Sequence, residues 1–160
     1  MDHNSIKKLY GKSVRLRVCG LYVENNSVLL IKHKGLGKNG MVWLPPGGGV
    51  EVGISLEENL KREFLEETGL KVEVEDFLFI YEYKDQGLHS VELFFSVSKL
   101  DGEIITGFDP EYSKENQIIE KTELMKFNTI DLMDKNLIHG IFSHCKNASE
   151  ALSLRGFYKF

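Results

Sequence analysis

Arg62, Glu63, Glu66 and Glu67 are the residues of this 160-residue chain best suited to chemistry. Three carboxylates crowded together repel one another, and where burial strips their hydration they are protonated or take up a compensating cation. Ligands made only of oxygen suit a hard divalent ion such as Mg²⁺, or Mn²⁺ in its place, which keeps several waters and shares its shell with substrate phosphates. Just upstream, Gly47, Gly48 and Gly49 allow backbone conformations that side chains forbid and let main-chain groups approach a ligand closely.

A helix must position the acids, and its ends are written in the sequence. Ser55 followed by Glu58 is a capping box, and Gly69 supplies the C-terminal stop. Between them Leu56, Leu60 and Phe64 recur every four residues and draw one inward apolar stripe. At 100° per residue, Glu63 and Glu67 fall within about 40° of that stripe and Glu66 about 60° to its other side. Glu57, Glu58, Lys61 and Arg62 point away. A charge run on a helix is ordinarily a solvated face; that reading fits Glu57 and Glu58 but not the second trio.

The stretch from Gly48 to Leu70 resembles the Nudix box, G-x5-E-x7-R-E-U-x-E-E-x-G-U with U aliphatic or aromatic. This is the signature of enzymes that hydrolyse a nucleoside diphosphate linked to another moiety. Gly48 opens it, Arg62-Glu63-Phe64 follows at the required distance, and Glu66-Glu67-Thr68-Gly69-Leu70 closes it. The one departure is Ile54, where the pattern has a glutamate that helps hold loop and helix together.

The resemblance implies an α/β fold, an α/β/α sandwich with a mixed β-sheet, over residues 13–145. It implies Mg²⁺ held by Glu63, Glu66 and Glu67 with the Gly48 carbonyl, and hydrolysis of the pyrophosphate linkage of ADP-ribose, a sugar nucleotide or a nucleoside triphosphate. The catalytic set is Arg62, Glu63, Glu66 and Glu67. Arg62, four residues from both Glu58 and Glu66, orients a carboxylate by charge pairing. A general base must take a proton from the attacking water; the candidates are Glu63 itself or Glu111, Glu115, Glu120 or Glu123. Ile54 leaves a second expectation open, a Nudix-fold module that binds a nucleotide derivative and cleaves it weakly or not at all.

The rest of the chain bounds these expectations. A net charge of −4 speaks against a nucleic-acid or anionic-membrane surface, either of which calls for a basic face. Cys19 and Cys145 form no metal-ligand spacing and no disulfide framework, and read as reduced thiols of a cytoplasmic protein. The opening residues lack the apolar run of a signal peptide, and no segment reaches the roughly 18 apolar residues of a membrane span.

Residues 1–12 read as a polar lead-in. Ser13 to Val23 alternates as a strand, with Arg15 and Arg17 on one face, either exposed or turned into the site to pair with a phosphate. A turn at Asn25-Asn26-Ser27 leads to a second strand over 28–33, so the two are expected to pair as a hairpin. The glycine- and lysine-rich loop from Lys34 to Gly40 opens onto the site, so Lys34 or Lys38 either touches an anionic ligand or is simply solvated; Trp43 is core or pocket wall. Strands follow over 71–83 and 90–100, joined by a hairpin loop at Asp85-Gln86-Gly87. In the second, Glu92 faces either solvent or the site. Arg15, Arg17, Lys34 and Glu92 are thus the substrate-binding candidates. An irregular acidic loop over 103–117, a strand over 118–127 and a closing helix from Asp131 through Cys145 complete the domain. The tail over 146–160 ends in RGFYKF, which docks on the domain or on a second subunit in a homodimer.

Overall fold

The acidic stretch folds as helix α1 (Leu56–Thr68) with the caps its sequence dictates. Ser55 Oγ accepts the Glu58 N–H at 3.2 Å and the Glu58 carboxylate accepts the Ser55 N–H at 3.2 Å, while Gly69 takes φ 75° and donates to the Leu65 carbonyl. Leu60 and Phe64 are fully buried, so the predicted stripe is the inward face. The computed structural model describes residues 13–85 and 87–160; the lead-in over residues 1–12 and Gln86 of the expected hairpin loop lie outside the described residues.

Two sheets frame the helix, and the molecule is mixed α/β. One sheet has five strands in the order β5 (Gly47–Gly49), β1 (Arg15–Leu21), β7 (Leu88–Asp101), β6 (Lys71–Asp85), β9 (Gly156–Lys159). It is mixed, since β1 runs parallel to β7 and β9 parallel to β6, while the β1–β5 and β6–β7 pairs are antiparallel. The second joins β2 (Val23–Glu24), β3 (Ser27–Lys34) and β4 (Met41–Leu44), with β8 (Ile119–Lys126) on the other side of β3. Alternation along β3 sends Leu29 to the α1 side, with Val18, Leu60 and Phe64. It sends Val28 and Leu30 to the opposite side, with Phe127, Ile130, Ile141 and Phe142. Helical segments therefore cover both faces of the strands.

Three expectations are corrected by this arrangement. The first hairpin contains only Val23-Glu24 against Val28-Ser27, turned by Asn25 and Asn26 at φ 48° and 56°; β1 itself crosses into the other sheet. The glycine turn is a short strand, registered against Arg17, Val18 and Cys19. No single helix closes the domain: α2 (Phe127–Leu132) stops early, 3₁₀ turns follow at Lys135–Leu137 and Gly140–Ser143, and α3 (Ala148–Ser153) leads to β9. Ile138, Ile141, Phe142 and Cys145 are buried as the sequence pattern suggests. Ile138 is extended between the two turns and bridges to Trp43, which breaks the run that a single helix would need.

Trp43 belongs to the core. The RGFYKF end docks on the domain, with β9 on β6 and Tyr158 edge-on to Phe79. Among the described residues, no helix is long and apolar enough to cross a membrane.

Candidate active site

The end of α1 is locked in place by backbone groups from distant segments. Its last carbonyls have no partners within the helix. The loop over 103–117 supplies them: Ile105 N–H donates to Thr68 O at 2.9 Å, Gly107 to Glu67 O at 3.0 Å and Phe108 to Glu66 O at 3.2 Å. Thr122 Oγ1 on β8 adds a bond to Glu67 O at 3.2 Å. The same contacts carry Asp109 and Glu111 to the wall of the site.

Glu67 is 4% exposed, and its Oε2 accepts the Gly47 N–H at 2.9 Å. Glu63 lies against Gly48 so closely that a Cβ there would run into its carboxylate; only glycine permits this approach. Arg62 ties three acids together, donating to Glu66 Oε2 at 2.9 Å and Glu63 Oε1 at 2.9 Å, and pairing with Glu51 Oε1 at 2.8 Å. Glu58 is occupied at the helix cap. Asn59, fully buried, braces loop to helix by accepting the Glu51 N–H at 3.2 Å and donating to Gly49 O at 3.1 Å. Asn59 and Glu51 thus tie the glycine strand and the loop after it to α1.

Burial pushes the Glu63 carboxyl up to about 7, Glu66 and Asp109 adding to the rise and Arg62 and Arg17 opposing it. Burial pushes Glu67 to about 8 against the opposing bond from Gly47. Both values stand above the ordinary value near 4.5, so the folded state holds these protons more tightly than the unfolded chain. Stability from this source is complete below about pH 4.5 and is lost as pH rises through the folded values. In EDTA, Tm is therefore expected to fall between about pH 5 and pH 8.5, and added Mg²⁺ to restore most of the loss at the alkaline end. A thermal melt series across that range checks it; a flat profile in EDTA contradicts it.

Among the described residues, no group of three or more His, Cys, Asp or Glu side chains is arranged to hold a metal ion; Glu66 is turned to Arg62. The smaller donor set nevertheless fits a divalent cation. Mg²⁺ is commonly held by one or two carboxylates with substrate phosphates completing the shell. Glu67 is buried and Glu63 half-buried, and a bound cation would displace the protons that burial favours on them.

A cavity of about 380 Å³ opens over these acids. Arg15, Arg17 and Glu92 line it, which settles both orientations the sequence left open, and the apolar partners Val14 and Leu16 are the exposed ones. Arg17 donates to Gly47 O at 3.1 Å, and its Nε stands 3.6 Å from Glu92 Oε1. His139 stands between the Ile141 N–H, 3.2 Å from its Nδ1, and Glu92 Oε2, 2.8 Å from its Nε2. Burial alone would raise Glu92, but the hydrogen bond and electrostatic attraction of His139, and then Arg17 and Ser90, hold it below its ordinary value.

His33, which burial depresses to about 4, is neutral. With Nδ1 on Ile31 O at 3.2 Å, its Nε2 faces Glu67 Oε1 at 4.0 Å. Of the loop and strand acids, Glu111 lines the cavity. Glu115 is exposed, Glu120 pairs with Lys32 at 2.7 Å and Glu123 with Lys121, all three outside the lining. Lys34 is exposed beyond the cavity, whereas Lys38 lines it. Asp109, His33, His139 and Asn59 were not singled out by sequence. Asp109, raised by burial, sits in a loop without periodicity, while the other three depend on contacts made only on folding.

Known proteins share this architecture. The ADP-ribose pyrophosphatase of Methanocaldococcus jannaschii is 35% identical over 111 residues, covering 68% of this chain and 63% of that protein. The match thus spans less than two thirds of the relative's own length. A NUDIX hydrolase from Nitrosomonas europaea superposes with a TM-score of 0.68 at 19% identity, over 83% of this chain and 86% of that one. An ADP-ribose pyrophosphatase from Streptococcus suis 89-1591 gives 0.59 at 16% identity, over 91% and 99%; at these identities the likeness is one of fold. The NUDIX domain model itself matches residues 13–141, taking in α1, the glycine strand and both arginines, and the chain belongs to the NUDIX domain family.

Proposed function

We propose that the protein hydrolyses the phosphoanhydride of a nucleoside diphosphate linked to another moiety, with ADP-ribose as the leading substrate. The observation that carries this reading is the pairing, in one cavity, of buried Glu67 and half-buried Glu63 on α1 with the half-buried guanidinium of Arg17. Glu63 and Glu67, with the Gly48 carbonyl, would hold a divalent cation. That ion, when bound, supplies charge neutralisation on the phosphate oxygens.

The protein's own groups do the rest. Arg17, fixed between Gly47 O and Glu92, and Arg15 beside Gly49 bind and orient the diphosphate. Arg62 keeps Glu63 and Glu66 in register. The proton of the attacking water passes to a carboxylate of the cavity wall; Glu63, Asp109 and Glu111, which line it, are the candidates. ADP-ribose comes first because the M. jannaschii relative carries that activity in its name.

The test is a panel of ADP-ribose, a sugar nucleotide, a dinucleoside polyphosphate and a nucleoside triphosphate, each with Mg²⁺, Mn²⁺ or EDTA. Divalent-dependent release of a nucleoside monophosphate from ADP-ribose is the expected result. Ile54 favours a second reading, a binding module. Tight binding of panel members without cleavage, in any metal, would put that reading in place of hydrolysis.

A further inference from the structure

Strand register lays out the cavity floor as two rows of side chains. One runs Gly49, Arg17, Glu92, Tyr81 across β5, β1, β7 and β6; the next runs Arg15, Ser90, Tyr83 across β1, β7 and β6. Phe160 extends the second row, because its N–H donates to Glu82 O at 3.0 Å and its ring lies 5.1 Å from that of Tyr83. Lys38, from the loop before β4, places its ammonium 5.1 Å from the centre of the Phe160 ring. From β5 to β6 is three strand spacings, about 14 Å. The acids and arginines thus mark one end of the cavity, and an aromatic pair with a cation over it marks the other.

Arg17 stands on β1, two strand spacings or about 10 Å from Tyr83 on β6, so a diphosphate held between Arg17 and the acids leaves Tyr83 and Phe160 to what is attached to it. Whatever meets them is the far portion of the substrate. Phe160 is 58% exposed although its ring belongs to the cavity lining. An exposed aromatic ring in a cavity wall is a surface on which a planar ring stacks with little preference for its hydrogen-bonding edge. We propose that Tyr83 and Phe160 form the nucleobase subsite, with Lys38 closing over it. This rests on the nucleoside diphosphate reading and adds the residues that favour substrates carrying an aromatic base.

The experiment separates the two. Fluorescence titration of the protein in EDTA with an etheno-adenosine diphosphate reads the stacking contact without turnover. Phe160→Ala, and Phe160→Leu, which keeps apolar packing on Tyr83 but removes the ring, are expected to weaken binding on the order of ten-fold. Phe160→Trp should restore it. With Mg²⁺, the first two should raise KM for ADP-ribose by a similar factor while kcat stays within about two-fold. Unchanged Kd and KM in both variants would overturn the subsite whether or not ADP-ribose is cleaved. Ring-dependent binding by a protein that cleaves nothing on the panel would support the subsite and overturn hydrolysis instead.

Discussion

Glu67→Gln lowers divalent-dependent turnover by at least about a hundred-fold and leaves the fold standing. The amide keeps an oxygen in place to accept the Gly47 N–H, now made to Glu67 Oε2 at 2.9 Å, so the helix stays tied to the glycine strand. What disappears is the negative charge, and with it the affinity for a cation and for the proton that burial now holds up to about pH 8. At alkaline pH in EDTA, the variant should therefore melt at or above the parent temperature, because a buried carboxylate no longer has to ionise there. Lost activity together with a retained or raised Tm distinguishes loss of a ligand from loss of structure. Near-parental turnover on the best substrate of the panel would remove Glu67 from the metal site.

The acidic helix was legible because its signals are local. Ser55, Glu58 and Gly69 act within one turn of the backbone they cap, and the Leu60–Phe64 stripe is fixed by helical period. The inward lean of Glu67 followed from the same geometry, and it is as buried as the stripe predicts. Arg15 and Arg17 were not decidable in that way. Alternation shows that they share a face, but which face turns inward depends on β1 lying between β5 and β7. That pairing joins segments far apart in the chain. The same holds for Glu92, whose partner His139 is 47 positions away. Asp109 reaches the cavity through loop amides that find the open carbonyls of α1, a contact with no residue-type signature. The misread closing helix has a related cause: apolar residues three apart suit an α-helix and a series of 3₁₀ turns alike, and the choice falls to tertiary packing.

Arg17→Met is expected to destabilise the protein by about 2–3 kcal/mol, below the cost of breaking a fully buried pair because the Arg17 side chain is 18% exposed. Its guanidinium faces Glu92, whose side chain is only 10% exposed, and it also satisfies the Gly47 carbonyl at 3.1 Å. Methionine fills much of the same volume but leaves the Glu92 carboxylate in a low-dielectric setting with His139 and Ser90 as its remaining partners. Arg17 is one of the charges that oppose the cost of burying Glu92, so its removal takes away part of that compensation. Neutralising the stranded acid should recover part of the loss. The double variant Arg17→Met/Glu92→Gln is expected to regain at least about 1 kcal/mol over Arg17→Met alone. Urea denaturation of the parent, both single variants and the double variant closes the cycle. If Arg17→Met lies within about 0.5 kcal/mol of the parent, or the second substitution costs as much in its presence as in its absence, the two side chains are not energetically coupled. Arg17 would then be held in the cavity by partners other than Glu92, the Gly47 carbonyl among them.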